Sequence, residues 1–363
     1  MTKTFEEIAE QIWMEMKKDH TGEWGMDIHL WDWVPGVGVI AMLDYYESTQ
    51  KTEVIQYLEE WVTANRAKSE GGKVINSIAP YAIFPALHRS TGEPWYREEA
   101  IRIADWLISE TPRTREHAFE HTVTENVQFS EQVWADTLFM AVLFLARTAS
   151  LVGSKAYAEE ALQQVLIHLR LLQDPEHNVL FHGWDCESGH HMSAARWTRA
   201  NAWVAAGVPL IIEEIAPLVA IPAELKERYT RLISGLIAYQ QKDGLWSTVM
   251  DHTDYYREIS GSAGIGYGIW KAIETGLIDR SEQLESAAEL TLQGVIPYIT
   301  EGGIVEGISG GTPVMESIEA YNAIGQYPTL YGQGLVLMLL AQSLRQEAIS
   351  RDENSLSSNS TRP

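Results

Sequence analysis

The chain carries a single cysteine, Cys186, among its 363 residues. No disulfide can form within it, which fits a reducing, cytoplasmic setting. Basic residues are also scarce: 27 Lys and Arg stand against 50 Asp and Glu, a formal charge of −23. That balance argues against a nucleic-acid partner, because phosphate contacts need clustered Lys and Arg. No uninterrupted apolar run reaches the roughly 20 residues a membrane-spanning helix needs, so no membrane partner is expected. The opening "MTKTFEEIAEQIW" has no basic segment followed by an apolar one, so no secretory signal is read there. Strict alternation of β-branched residues is rare, which weakens any sheet-based fold. Short catalytic signatures are thin too. There is no helical HExxH zinc pattern, "GIGYG" and "SGGTP" do not fit a phosphate loop, and "SGSAG" is not a nucleophile elbow. A metal is therefore not expected from these patterns.

What the sequence has is helical periodicity. Twelve helices are predicted, at about 3–18, 35–47, 52–66, 77–89, 94–109, 130–150, 155–172, 198–216, 223–240, 261–275, 281–297 and 327–347. Thr4 with Glu7 reads as a capping box, and Pro94 and Pro222 sit near first turns. The odd-numbered segments are one-sided. In "EVIQYLEEWVTANR" the apolar residues Val54, Tyr57, Leu58, Trp61 and Val62 share a stripe. The even-numbered ones, such as "GVGVIAML" and "NAWVAAGVPLII", are apolar or small all round. One-sided helices belong outside and all-round apolar helices inside. Six of each, alternating, predict an all-α fold, an (α/α)6 barrel formed by residues 1–348; the pattern alone also allows an open solenoid. Residues 349–363, polar and without a hydrophobic period, read as a disordered tail.

The segments leading into the even helices are long and rich in Trp, His, Asp and Gly. In a ring of antiparallel hairpins they all lie at one end, so a functional mouth is expected there. Asp136 stands out: from Val133 to Ala146 it is the only charge in an apolar run. A carboxylate there needs a partner or a proton. Two readings are open. It is a paired aspartate at a helix start, or a partly desolvated general acid in the helix's second turn, on the pocket floor. In "RWTRANAW", Arg199 and Trp203 are four apart and share a helix face, suited to a carboxylate and a sugar ring. "HLWDW" places Asp32 between Trp31 and Trp33. "HGWDCESGHH" offers His182, His190 and His191 at no zinc-like spacing, so a hydrogen-bonding histidine at the pocket rim is the expectation. Aromatic platforms with a few polar groups suit carbohydrate.

Five stretches, "QVWADTLFMAVLFLAR", "FHGWD", "RWTRANAW", "DGLWSTVMDHTDYYREISGSAGIGYGIWKA" and "GISGGTPV…GQGLVLMLLA", run in order from about residue 30 to 345. Together they resemble the unsaturated rhamnogalacturonyl hydrolases of glycoside hydrolase family 105. The resemblance implies an (α/α)6 barrel without cofactor. It implies a small oligosaccharide substrate ending in a 4,5-unsaturated uronic acid, with rhamnose as the expected leaving sugar. It also implies hydration of the double bond, with Asp136 of "WADT" as proton donor and then base. His182, Arg199 and Trp203 carry over as substrate contacts, with Asn126, Gln132 and Trp33 completing the pocket. Ala200 and Ala202 replace two glycines usual in the family, and "CESGHHMSAA" looks inserted at the rim. The other classes weighed are an unsaturated glucuronyl hydrolase, an epimerase-like isomerase using His182 with His252, and a glycan-binding protein without chemistry.

Overall fold

The computed structural model describes residues 3–192 and 194–360. All twelve expected helices are present. The outer, one-sided set is α1 (Phe5–Met16), α3 (Thr52–Asn65), α6 (Pro94–Ser109), α8 (Lys155–Leu172), α10 (Ala223–Tyr239) and α12 (Glu282–Val295). The inner set is α2 (Trp33–Thr49), a composite helix, α7 (Leu143–Val152), α9 (Thr198–Ile215), α11 (Ile259–Glu274) and α14 (Leu330–Ser360). The composite joins α4 (Ile75–Ile78) to α5 (Phe84–Thr91) through a 3-10 stretch at Ala79–Ile83. The caps read from sequence form: Thr4 and Glu7 make a reciprocal capping box, and Pro94 opens α6.

Inner helices pack side by side in order, and α14 packs back on α2. The ring is closed, so the fold is an (α/α)6 barrel and not an open solenoid. Small residues permit the close approach. A Cβ added at Gly268 of α11 would meet the Ala205 carbonyl oxygen of α9 at 2.3 Å. One at Gly334 of α14 would meet Ala41 of α2 at 3.0 Å. Inner residues such as Ile40, Phe139, Val204 and Ile265 are fully buried in one continuous core. No helix among the described residues is long and apolar enough to cross a membrane.

Three features depart from the sequence reading. Residues 132–134 do not begin a helix. They form β1 (Gln132–Trp134), paired antiparallel with β2 (Gly183–Asp185) in the register Trp134↔Gly183. The helix starts only at Asp136, which therefore lies in its first turn, and it passes through a π-helical stretch at Leu138–Val142 before α7. A short extra helix, α13 (Ile318–Asn322), sits in the last long loop. Finally, α14 runs from Leu330 to Ser360, beyond the predicted end at about 347. Residues 361–363 lie outside the described residues.

Candidate active site

The inner helices run parallel, and all six begin at one end. Trp33 opens α2, Asn76 lies in the first turn of α4, Asp136 begins the helical run into α7, and Arg199 lies in the first turn of α9. The N-cap of α11, Glu258, reaches within 3.8 Å of Arg199, and α14 begins beside Tyr331, which stacks on Trp33. Unpaired N–H groups and the positive ends of six helix dipoles thus converge on the mouth. Here lies a cavity of about 660 Å³. Its walls include Trp24, Trp33, Phe129, Trp134 and Tyr327, and its polar lining includes Asn76, His121, Glu125, Asp136 and Arg199.

Asp136 is placed by the β1–β2 ladder. The pairing of Trp134 with Gly183 continues through the Ala135 N–H, which donates to the His182 carbonyl at 3.1 Å. The next residue, Asp136, then meets the His182 side chain. Oδ2 of Asp136 lies 3.3 Å from His182 Nε2. The alignment falls short of a hydrogen bond, and neither atom has another hydrogen-bond partner. Oδ2 is buried while the side chain as a whole keeps 13% exposure, which leaves Oδ1 for the cavity. Burial works to raise the carboxyl pKa, but contact with His182 and its charge, then His121 and Arg199, hold it below its ordinary value.

The histidines around it differ in role. His121 lies flat against Trp134, ring centres 4.3 Å apart, with Nδ1 3.0 Å from the Thr137 hydroxyl. Burial pushes it down to about 4, so its ring is neutral near pH 7. His182 is fully buried among Trp134, Trp197 and Tyr321 and lies behind the cavity wall. It faces Asp136 and does not line the open cavity, where a sugar contact was expected of it.

Other expected contacts are also redistributed. Trp33 is on the wall. Arg199 is on the wall as well, but both of its terminal nitrogens are in use. Nη1 binds the Ser309 carbonyl at 2.7 Å and hydroxyl at 2.5 Å, and Nη2 binds the Gly310 carbonyl at 2.7 Å. Its guanidinium is clamped between Trp197 and Tyr331. It anchors the last loop and supplies fixed positive charge. Trp203 is fully buried against Phe139 and lines no part of the cavity. Four residues along a helix is about 6 Å of depth, enough to take it from mouth to core. Asn126 is exposed and off the wall, and Gln132 works at one remove, its Oε1 accepting the Trp134 Nε1–H at 2.9 Å. Sequence reasoning did not single out His121, Trp134, Asn76, Trp24 or Tyr327. Only Trp134, inside "WADT", carried a local signal.

His190 and His191 point elsewhere: His190 accepts the Met192 N–H, and His191 stacks on Phe181. Among the described residues, no group of three or more His, Cys, Asp or Glu is arranged to hold a metal. His252 stacks on Tyr255 and does not line the cavity, so the structure does not join it to His182 across the pocket.

Comparison with known proteins agrees with this architecture. A curated relative is the unsaturated rhamnogalacturonyl hydrolase YesR of Bacillus subtilis, 33% identical over 87% of this chain and 90% of its own length. A solved structure from Salmonella enterica, described as a possible member of the GH105 family, superposes with a TM-score of 0.89 at 28% identity, covering 94% of both chains. The unsaturated glucuronyl hydrolase of Bacillus sp. GL1 shares the fold, with a TM-score of 0.70 at 19% identity over 93% of this chain and 96% of its own. Residues 6–347 match the family model described as Glycosyl Hydrolase Family 88, and the chain belongs to that family of glycoside hydrolases.

Proposed function

We propose that the protein releases a 4,5-unsaturated uronic acid from the non-reducing end of short lyase-generated oligosaccharides, with rhamnose as the leaving sugar, in the cytoplasm. The observation that carries this reading is Asp136, with one oxygen backed by His182 and the other on an aromatic-walled cavity. In this mechanism Asp136 delivers a proton to C4, and the positive charge that develops at C5 is shared with the ring oxygen. Water then adds at C5 as Asp136, now a carboxylate, takes its proton. The hemiketal opens to a ketone at C5, the ring oxygen becomes a hydroxyl on C1, and that hemiacetal releases the leaving sugar as an alcohol.

The lowered pKa of Asp136 fits a role in which the substrate brings the acid into play. Without substrate the group is a carboxylate near neutrality. A bound uronate places a second negative charge beside it and favours its protonated form. The name of the Bacillus subtilis relative supports a rhamnogalacturonan-derived substrate. The apolar rim residues Val123, Val127, Pro313 and Val314 suit the methyl group of a 6-deoxy sugar.

The test follows ultraviolet absorbance of the conjugated double bond during incubation with unsaturated rhamnogalacturonan disaccharide, comparing the native protein with Asp136→Asn. Loss of absorbance with the native protein alone is expected. No loss with rhamnogalacturonan- or glucuronan-derived substrates would remove the hydrolase reading. Equal activity in both proteins would remove Asp136 from the mechanism.

A further inference from the structure

The buried side of Asp136 ends at a residue with no role so far: Tyr321, on α13. Its hydroxyl lies 2.8 Å from His182 Nδ1, and the same oxygen accepts the Met315 N–H at 3.1 Å. Phenol and imidazole are both buried. Since His182 Nε2 faces Asp136 Oδ2 at 3.3 Å, the three side chains form a line from the last loop to the cavity.

The proton positions along that line follow from donor and acceptor counts. When the His182–Asp136 pair holds one proton, that proton sits on Nε2, toward the carboxylate, and the tyrosine O–H donates to Nδ1. When the pair holds two, Nδ1 carries a proton as well, and the phenol oxygen becomes its acceptor. Only in that state can the proton between Nε2 and Oδ2 move to Asp136. The N–H bond breaks, an O–H bond forms, and His182 is left neutral with its proton on Nδ1.

We propose that Tyr321 is a positioning residue that acts through Nδ1 of His182 to set the pH range in which Asp136 holds the proton it delivers. This rests on the reading of Asp136 as proton donor. The other charged or titratable groups around the pair are His121 and Glu125 from the loop before β1, His168 on α8, Arg199 on α9 and Glu258 on α11. His121 and His168 are both pushed to about 4 by burial, so neither changes charge in the neutral range.

The experiment combines two readouts. Protein with 15N-labelled histidine rings reports the His182 tautomer across pH, its signals assigned by their loss in His182→Gln. The pH–rate profile on unsaturated disaccharide is then measured for the native protein and Tyr321→Phe. In the native one-proton state the Nε2–H tautomer is expected; an Nδ1–H tautomer there would overturn the proposal without any need for the variant. In Tyr321→Phe, a buried Nδ1–H loses its acceptor, so the two-proton state is disfavoured. The alkaline limb should move to lower pH by about one unit, with the Nδ1 titration moving alongside it. Rates on the acid side should fall far less than those on the alkaline side. An equal loss of rate at every pH, with limb and ring signals unmoved, would mean that Tyr321 only anchors its loop. If the native protein leaves unsaturated uronides untouched, the hydrolase reading fails, while the ring titration still decides the Tyr321–His182 coupling.

Discussion

Acidification should destabilise this protein through two neutral histidines. His168, on α8, is fully buried; its Nδ1 donates to the Gln164 carbonyl at 2.8 Å, and its Nε2 has no partner. His121 is buried beside Trp134. Burial holds each ring at about 4, against 6.5 for an ordinary histidine. Below pH 6.5 the unfolded chain takes up protons that the folded chain refuses, so stability falls as pH falls and levels off below about 4. Linkage gives a loss of about 2 kcal/mol per ring between pH 7.5 and 5, or about 4 kcal/mol for the two together. Urea unfolding at both pH values, followed by tryptophan fluorescence, measures it. In His168→Leu the loss should shrink by about half, because only His121 then resists protonation. If native protein and variant lose the same stability over that interval, burial is not what holds His168 neutral.

At the opposite end of the barrel, Lys271 is buried with its ammonium 3.0 Å from both Glu213 and Glu274. Lys271→Met leaves the half-buried side chain of Glu274 without its nearest cation, while Glu213 is exposed, and should cost about 1–3 kcal/mol in urea unfolding, whereas a loss near zero would show that Glu274 reaches water freely. Gly268→Ala drives a methyl group onto the Ala205 carbonyl and should cost about 1–3 kcal/mol, read as a lowered Tm; an unchanged Tm would mean that α9 and α11 separate easily. Trp24 is 43% exposed at the rim, set edge-on to Trp33 and Tyr327. Trp24→Ala should raise KM for the disaccharide severalfold with little change in kcat, and a fall in kcat alone would count against a platform role. Raising salt from about 0.01 to 0.5 M should raise KM for an anionic substrate as the field at the mouth is screened, and a flat response would contradict electrostatic capture.

The barrel was legible because burial writes itself into periodicity. A helix such as α3 must hide one stripe, and a helix such as α11 must hide every face. Asp136 was legible for the same reason, as a lone charge in a run with no other. What was not legible were features that depend on a distant partner. Gln132–Trp134 reads as the first turn of a helix until β2, some fifty residues on, supplies a strand to pair with. Arg199 reads as suited to a carboxylate, and only the fold shows Ser309 and Gly310 of the last loop accepting from its terminal nitrogens. Trp203 shares a face with Arg199, as the spacing says, but on an inner helix that face is wet only at its end. His121 and Tyr321 sit in long loops where no period constrains them, and their contacts with Thr137 and His182 exist only in three dimensions.

A charge of −23 and an anionic sugar look incompatible only if charge is treated as a single sum. The fold sorts it by end. Six parallel inner helices direct their positive ends to the mouth and their negative ends to the opposite face. Only two of those mouth termini are quenched by acidic caps, Asp32 on α2 and Glu258 on α11. At the far end the buried cations Arg147 and Lys271 and the half-buried Arg345 meet the C-terminal halves of the same helices, with Asp44 and Glu274 interleaved. Surface carboxylates beyond a Debye length, about 10 Å at 0.1 M salt, add little to the potential inside the cavity. The groups that decide it are near: the helix termini, the clamped Arg199, the carboxylate of Glu125 on the wall, and whatever proton the His182–Asp136 pair retains. Under the proposed function, a site built this way would hold an anion beside a carboxylate without a lysine on its wall, and would leave that carboxylate as the group whose proton responds to the anion's arrival.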